Sequence, residues 1–181
     1  MPADTARSRL EDFAYEHHGY FTTVDMKTLH VDHGELWQIV NRGFIERCGY
    51  GVYRFPDYPA EREASFLEAV LLTGRGAYLI DTGTLALAQL GLVVPPRIRV
   101  GTPRRVRIDV PQRIEVVKTH HEPADITTIE GVPTVTIRRA ILDARGRVMT
   151  ERLIDAAEEA YERGLLSARD RDAVVGVLRQ P

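Results

Sequence analysis

Apolar positions along the chain change period twice, and each change marks a boundary in the fold they predict. Over residues 4–17 they recur at helical spacing (Leu10, Phe13, Ala14), with Thr5 or Asp4 as N-cap and Gly19 as the C-terminal stop. Tyr20-Phe21 reads as a short strand. Thr22 or Thr23 then caps a helix running to about Leu29, with Met26 and Leu29 inside. Asp32 caps a second helix over 33–41, and Glu35 at its third position completes a capping box. Leu36, Ile39 and Val40 share the core side of that helix, while His33, Gly34, Trp37, Gln38 and Asn41 share the other. Two strand-like runs, 44–48 and 52–55, flank the turn Gly49-Tyr50-Gly51. The order helix, strand, helix, helix, hairpin predicts a winged helix-turn-helix over residues 1–55. Pro56 and Pro59 predict a stiff linker over 56–59.

Helical spacing resumes over 60–72 with Phe66, Leu67, Val70 and Leu71, which a 55-residue unit with a marginal core would lean on. A short strand is expected at 78–80, then a helix capped by Asp81 or Thr82 and ended at Leu90 by Gly91. Beyond Pro95-Pro96 the period falls to two: Ile98 and Val100, then Val106 and Ile108, then Ile114, Val116 and Val117. These runs predict half-buried antiparallel strands. Runs at 126–129 and 132–137 around Glu130-Gly131 add to the sheet. Helices follow at 138–144, 151–163 and 168–178, with Thr150 and Ser167 as N-caps for the last two. The expected class is α+β: the winged helix, then a mixed α+β domain over 60–181 with an antiparallel sheet and C-terminal helices.

Composition narrows the function classes. No run approaches the roughly 18 apolar residues of a membrane helix. The opening MPADTARSRLEDF has no apolar signal core, so a cytoplasmic protein without membrane partners is expected. Cys48 is the single cysteine, which excludes an internal disulfide, and it reads as a small buried apolar side chain. The net charge of −2 says little, but its distribution says more. Residues 97–121 hold Arg97, Arg99, Arg104, Arg105, Arg107, Arg113 and Lys118 against Asp109 and Glu115. The remaining stretches are each net acidic, the helix-turn-helix included.

Catalytic patterns are missing from the sequence. Gly74-Arg75-Gly76 is too short for a phosphate loop, and no serine sits in a nucleophile elbow. Asp109, Glu115 and Lys118 could suggest a metal-dependent nuclease. Glu115 and Lys118, however, are three apart and point to opposite faces of a strand. The adjacent histidines of His120-His121-Glu122 do the same, and His17-His18 lacks further ligands. Asp155, Glu158, Glu159 and Glu162 form an acidic helix face, solvated or able to dock a basic partner. Neither an enzyme, a metal site nor a cofactor is expected.

A helix-turn-helix sets its second helix in the major groove of duplex DNA. The candidate base-reading side chains are therefore His33, Trp37, Gln38 and Asn41, of which Gln38 and Asn41 can pair bidentately with adenine. Thr22, Thr23, Lys27 and Arg42 could hold phosphates, and Tyr50 could reach the backbone or minor groove. Asp32 and Glu35 lie beside that face, so Arg104, Arg105 and Arg107, on an exposed hairpin connection, are candidates for the missing phosphate contacts. The alternative is a protein-interaction module that neutralises a partner without touching DNA.

These residues resemble the AbiEi-type antitoxins of type IV toxin–antitoxin systems. The resemblance is carried by GYFTTVDMKTLHV, by Arg42-Gly43 leading to Arg47, and by Gly51-Val52-Tyr53-Arg54. Further along it is carried by Thr84–Leu90, Thr102-Pro103-Arg104-Arg105, and the run Ile129 to Thr136 before Arg139 and Leu142-Asp143. It spans nearly the whole chain. One departure is the second helix, which opens Asp32-His33-Gly34-Glu35 where the family commonly has serine and arginine. The resemblance implies a bacterial antitoxin that represses its own operon by binding operator DNA through the winged helix, with a homodimer on DNA as one assembly. Its C-terminal domain would counter a cognate nucleotidyltransferase-like toxin.

Overall fold

A computed structural model of the chain describes residues 5–59 and 61–180. It is a mixed α+β protein in two compact units, residues 1–72 and 73–181. Asp4 as a cap and residue 60 as a helix start lie outside the described residues. Among the described residues, no helix is long and apolar enough to cross a membrane.

The first unit runs α1 (Ala6–Tyr15), β1 (Tyr20–Thr22), α2 (Thr23–Thr28), α3 (His33–Asn41), β2 (Glu46–Gly49), β3 (Val52–Arg54) and α4 (Arg62–Thr73, its last residue across the division). The three strands form an antiparallel sheet in the order β1-β3-β2. All three leading helices begin at reciprocal caps: Thr5 with Ser8, Thr22 with Asp25, and Asp32 with Glu35. Those caps set which side chains turn inward. Leu10, Ala14, Phe21, Met26, Val31, Leu36, Ile39, Ile45 and Phe55 make one buried cluster. Cys48 is half-buried rather than buried, because β2 is an edge strand with one side open.

The division falls after Leu72, one helix beyond the expected linker at 56–59. The reason is that α4 and the segment before it pack on the small sheet. Leu72 closes over Gly49, where a Cβ would overlap its side chain. His18 Nδ1 lies 2.6 Å from Glu61 Oε2, and the Tyr58 hydroxyl donates to the Tyr15 carbonyl at 3.2 Å.

The second unit holds β4 (Tyr78–Leu79), α5 (Asp81–Leu87), β5 (Ile98–Thr102), β6 (Ile114–Lys118), β7 (Ile126–Ile129), β8 (Val132–Val135), α6 (Ile137–Asp143), α7 (Thr150–Glu162) and α8 (Ala168–Leu178). The sheet order is β6-β5-β4-β8-β7. It is mixed, not antiparallel as expected: β5 pairs β6 in parallel and β4 pairs β8 in parallel. Parallel neighbours cannot be joined by a hairpin. Residues 103–113, expected to include a strand at Val106 and Ile108, are instead an irregular connection. The β7–β8 hairpin does turn at Glu130-Gly131, both with positive φ (47° and 73°), as a two-residue primed turn requires.

Two expected caps also differ. Asp81 and Thr82 lie inside α5, which starts from Ile80 without a side-chain cap and ends at Leu87, ahead of Leu90. Thr150 lies inside α7, whose N-cap is Met149.

Asp81 has another role. Arg99 on β5 is 5% exposed, and its Nε donates to both Asp81 carboxylate oxygens at 2.9 Å, while Nη1 donates to Glu115 on β6. Burial alone would lower the guanidinium's pKa, but the hydrogen bonds to Asp81 and Glu115 outweigh it and the value is raised. Removing one member leaves a buried charge short of partners. Asp81→Asn should therefore lower unfolding free energy by about 3 kcal/mol in urea titrations. Arg138→Ala, at an exposed pair with Asp170, should change it by less than about 0.5 kcal/mol.

Candidate nucleic-acid interface

The outer face of α3 is set by its first turn. Asp32 Oδ1 accepts from the Glu35 N–H at 2.8 Å, and Glu35 Oε2 accepts from the Asp32 N–H at 3.0 Å. With the start fixed, Leu36 and Ile39 are buried, and His33, Gly34, Trp37, Gln38 and Asn41 all stand in solvent. Trp37 is 67% exposed, which is unusual for a side chain with so much apolar surface. The two carboxylates beside this face are thereby engaged at the positive end of the helix, which reduces the field they project outward.

The β2–β3 turn is held against α2. The Thr23 N–H donates to the Gly51 carbonyl at 3.0 Å, and a Cβ on Gly51 (φ +69°) would lie 2.9 Å from Thr23 Oγ1. Gly49 pairs with Val52, so Tyr50 and Gly51 alone make the turn, and Tyr50 is 80% exposed at its tip. The turn is short and stiff, with one aromatic ring on display.

The phosphate candidates separate into two groups. Lys27 and Arg42 are exposed, at the last turn of α2 and the C-cap of α3. Thr22 is not free to serve. Its hydroxyl donates to Asp25 Oδ2 at 2.7 Å and accepts from the Val24 and Asp25 amides. Thr23 is half-buried against Gly51.

Arg54, on the central strand, is also committed. It pairs with Glu46 Oε2 at 3.2 Å and with the Tyr20 phenol; burial works to lower its pKa, but these partners raise it. Arg47 on the edge strand is not among the DNA-contact candidates named from the sequence. It is exposed, and its Nε donates to the Gly49 carbonyl at 3.2 Å, beside the turn. The alternation Glu46-Arg47-Cys48 is the signal that marks it.

In the second unit, Arg104, Arg105 and Arg107 are exposed in the 103–113 connection, on an irregular segment instead of a hairpin. Arg99 drops out of the basic stripe because Asp81 and Glu115 occupy it. His121, from the His-His-Glu run, is buried in a hydrogen-bonded chain, with Tyr78 Oη at 3.1 Å and Asp143 Oδ2 at 2.9 Å. Arg139 Nε donates to the same Asp143 oxygen at 2.9 Å. Among the described residues no His/Cys/Asp/Glu group is placed to hold a metal ion.

Against models of known protein families and against curated proteins, the sequence has no match.

The turn geometry can be checked by substitution. Gly51→Val should destabilise the first unit by about 1–2 kcal/mol in thermal unfolding, from the positive φ and the clash with Thr23. Tyr50→Ala, at an exposed tip, should change stability by under about 0.5 kcal/mol.

Proposed function

We propose that the first unit is a winged helix that reads duplex DNA, and that the chain is an antitoxin-like autorepressor of the AbiEi type. The observation that carries this reading is the exposed face of α3: two amides, Gln38 and Asn41, with His33 and Trp37 around them. The order α1-β1-α2-α3-β2-β3, with a three-stranded antiparallel sheet, is the arrangement such modules use. Gln38 and Asn41 pair with base edges in the major groove, while Lys27, Arg42 and Arg47 contact phosphates. Tyr50 reaches the flanking backbone. Arg104, Arg105 and Arg107 add sequence-independent phosphate contacts from the second unit. The second unit also carries the surface that counters a nucleotidyltransferase-like toxin.

The acidity of the α3 start favours a second reading, in which this face docks a protein and Trp37 is its anchor. Mobility-shift titration on the chain's own upstream DNA separates the two. Autorepression predicts binding whose log K falls linearly with log salt concentration. Gln38→Ala and Asn41→Ala should each cost about 1–3 kcal/mol on that DNA and little on unrelated duplex. Changing Arg104, Arg105 and Arg107 together to Ala should weaken both about equally and flatten the salt slope. Glu35→Gln keeps the cap, removes a charge, and should tighten binding a few-fold. No shift at low salt, together with co-purification of a partner protein, favours the second reading.

A further inference from the structure

The segment 91–96 holds apolar side chains out in water on a stiff support. Leu92 is 79% exposed and Val94 91%, and Met149, at the N-cap of α7, is 65% exposed. Leu92 has φ +50°, a conformation that a bulky residue adopts at an energetic cost. The segment is tied to α7 at two points. The Gly91 N–H donates to Glu159 Oε2 at 2.8 Å, and Arg152 Nη1 donates to the Leu92 carbonyl at 3.2 Å. Pro95-Pro96 stiffens its far end. A strained, anchored display of apolar side chains is a surface shaped in advance for contact.

Charge around it is divided by sign. On one side, Val94 and Met149 rim a cleft of about 510 Å³ together with Arg97, Arg147 and Arg152; Glu115 in the same cleft is taken up by Arg99, and Arg147 lies 4.0 Å from Asp81. On the other, Leu92 rims a groove with Arg152, Asp155 and Glu162. Along α7 the charge goes from mixed to acidic: Glu151 and Arg152 stand in the first turn, and the last turn carries glutamates and no base. Glu158 and Glu159 are engaged within the unit, by Arg171 at 2.7 Å and by Gly91.

We propose that this face is a two-fold interface between two copies of the chain. α7 lies antiparallel to α7, Leu92 and Val94 sit at the centre, and Arg147 and Arg152 of each copy meet Asp155 and Glu162 of the other. A partner of one charge sign satisfies half of this surface, whereas a second copy turned by a two-fold satisfies both halves. The same rotation sets the two helix dipoles antiparallel and gives an apolar centre with a charged rim. The inference concerns residues 73–181 alone and does not depend on DNA binding by the first unit.

Sedimentation equilibrium of the full chain over roughly 1–100 μM tests it. The expected mass climbs from 20.4 kDa towards twice that value with concentration. Arg152→Glu or Glu162→Arg alone should weaken association at least about tenfold, and both in one chain should restore it. Leu92→Gly should weaken association while leaving the thermal midpoint of the dilute, monomeric chain unchanged or higher, because glycine removes the φ strain. A mass of 20.4 kDa at every concentration overturns the proposal. So does a dimer indifferent to both reversals, or one that the double reversal fails to restore.

Discussion

Two reciprocal hydrogen bonds between Asp32 and Glu35 decide how α3 presents itself. They fix the residue at which the helix starts, and a helix start fixes the azimuth of every later side chain. Leu36 and Ile39 are thereby committed to the core, and Trp37, Gln38 and Asn41 to solvent. The two carboxylates whose charge opposes DNA binding are thus the ones that aim the face proposed to read it. Their charge sits where the helix dipole is positive, the least costly place for it near an anionic ligand.

Charge elsewhere follows a similar division between structural and available groups. Arg99 lies within the most basic stretch of the chain yet is locked under α5 by Asp81 and tied to β6 by Glu115. Arg54 is held in the small sheet by Glu46 and Tyr20. Lys27, Arg42 and Arg47 in the first unit and Arg104, Arg105 and Arg107 in the second are exposed to solvent. A modest set of phosphate contacts fits a protein whose net charge is −2.

Local features were legible in the sequence and non-local ones were not. The Asp32 cap and the 33–41 span follow from residues three apart, and so do the β7–β8 turn and the Ser167 cap of α8. The alternation at Ile98-Arg99-Val100 is the same whether a strand pairs in parallel or antiparallel, so it could not give the β5–β6 pairing. Nor could it show Arg99 buried, since its partner Asp81 lies eighteen positions earlier. Of the candidate interface, the exposed face of α3 was readable from helical period. Thr22 and Asp25, three apart like Asp32 and Glu35, and Arg47 in its alternating strand also carry local signals; the hold of Thr23 on Gly51 across the turn needed three dimensions.

The chain carries its own reporter for the central claim. Its single tryptophan, Trp37, lies exposed on the α3 face. Titrating the protein with duplex from its own upstream region and following Trp37 emission tests directly whether that face meets DNA. The account predicts saturable quenching that added salt reverses. Emission unchanged at saturating duplex, under conditions where a mobility shift is seen, would place DNA elsewhere on the protein and contradict the assignment of α3.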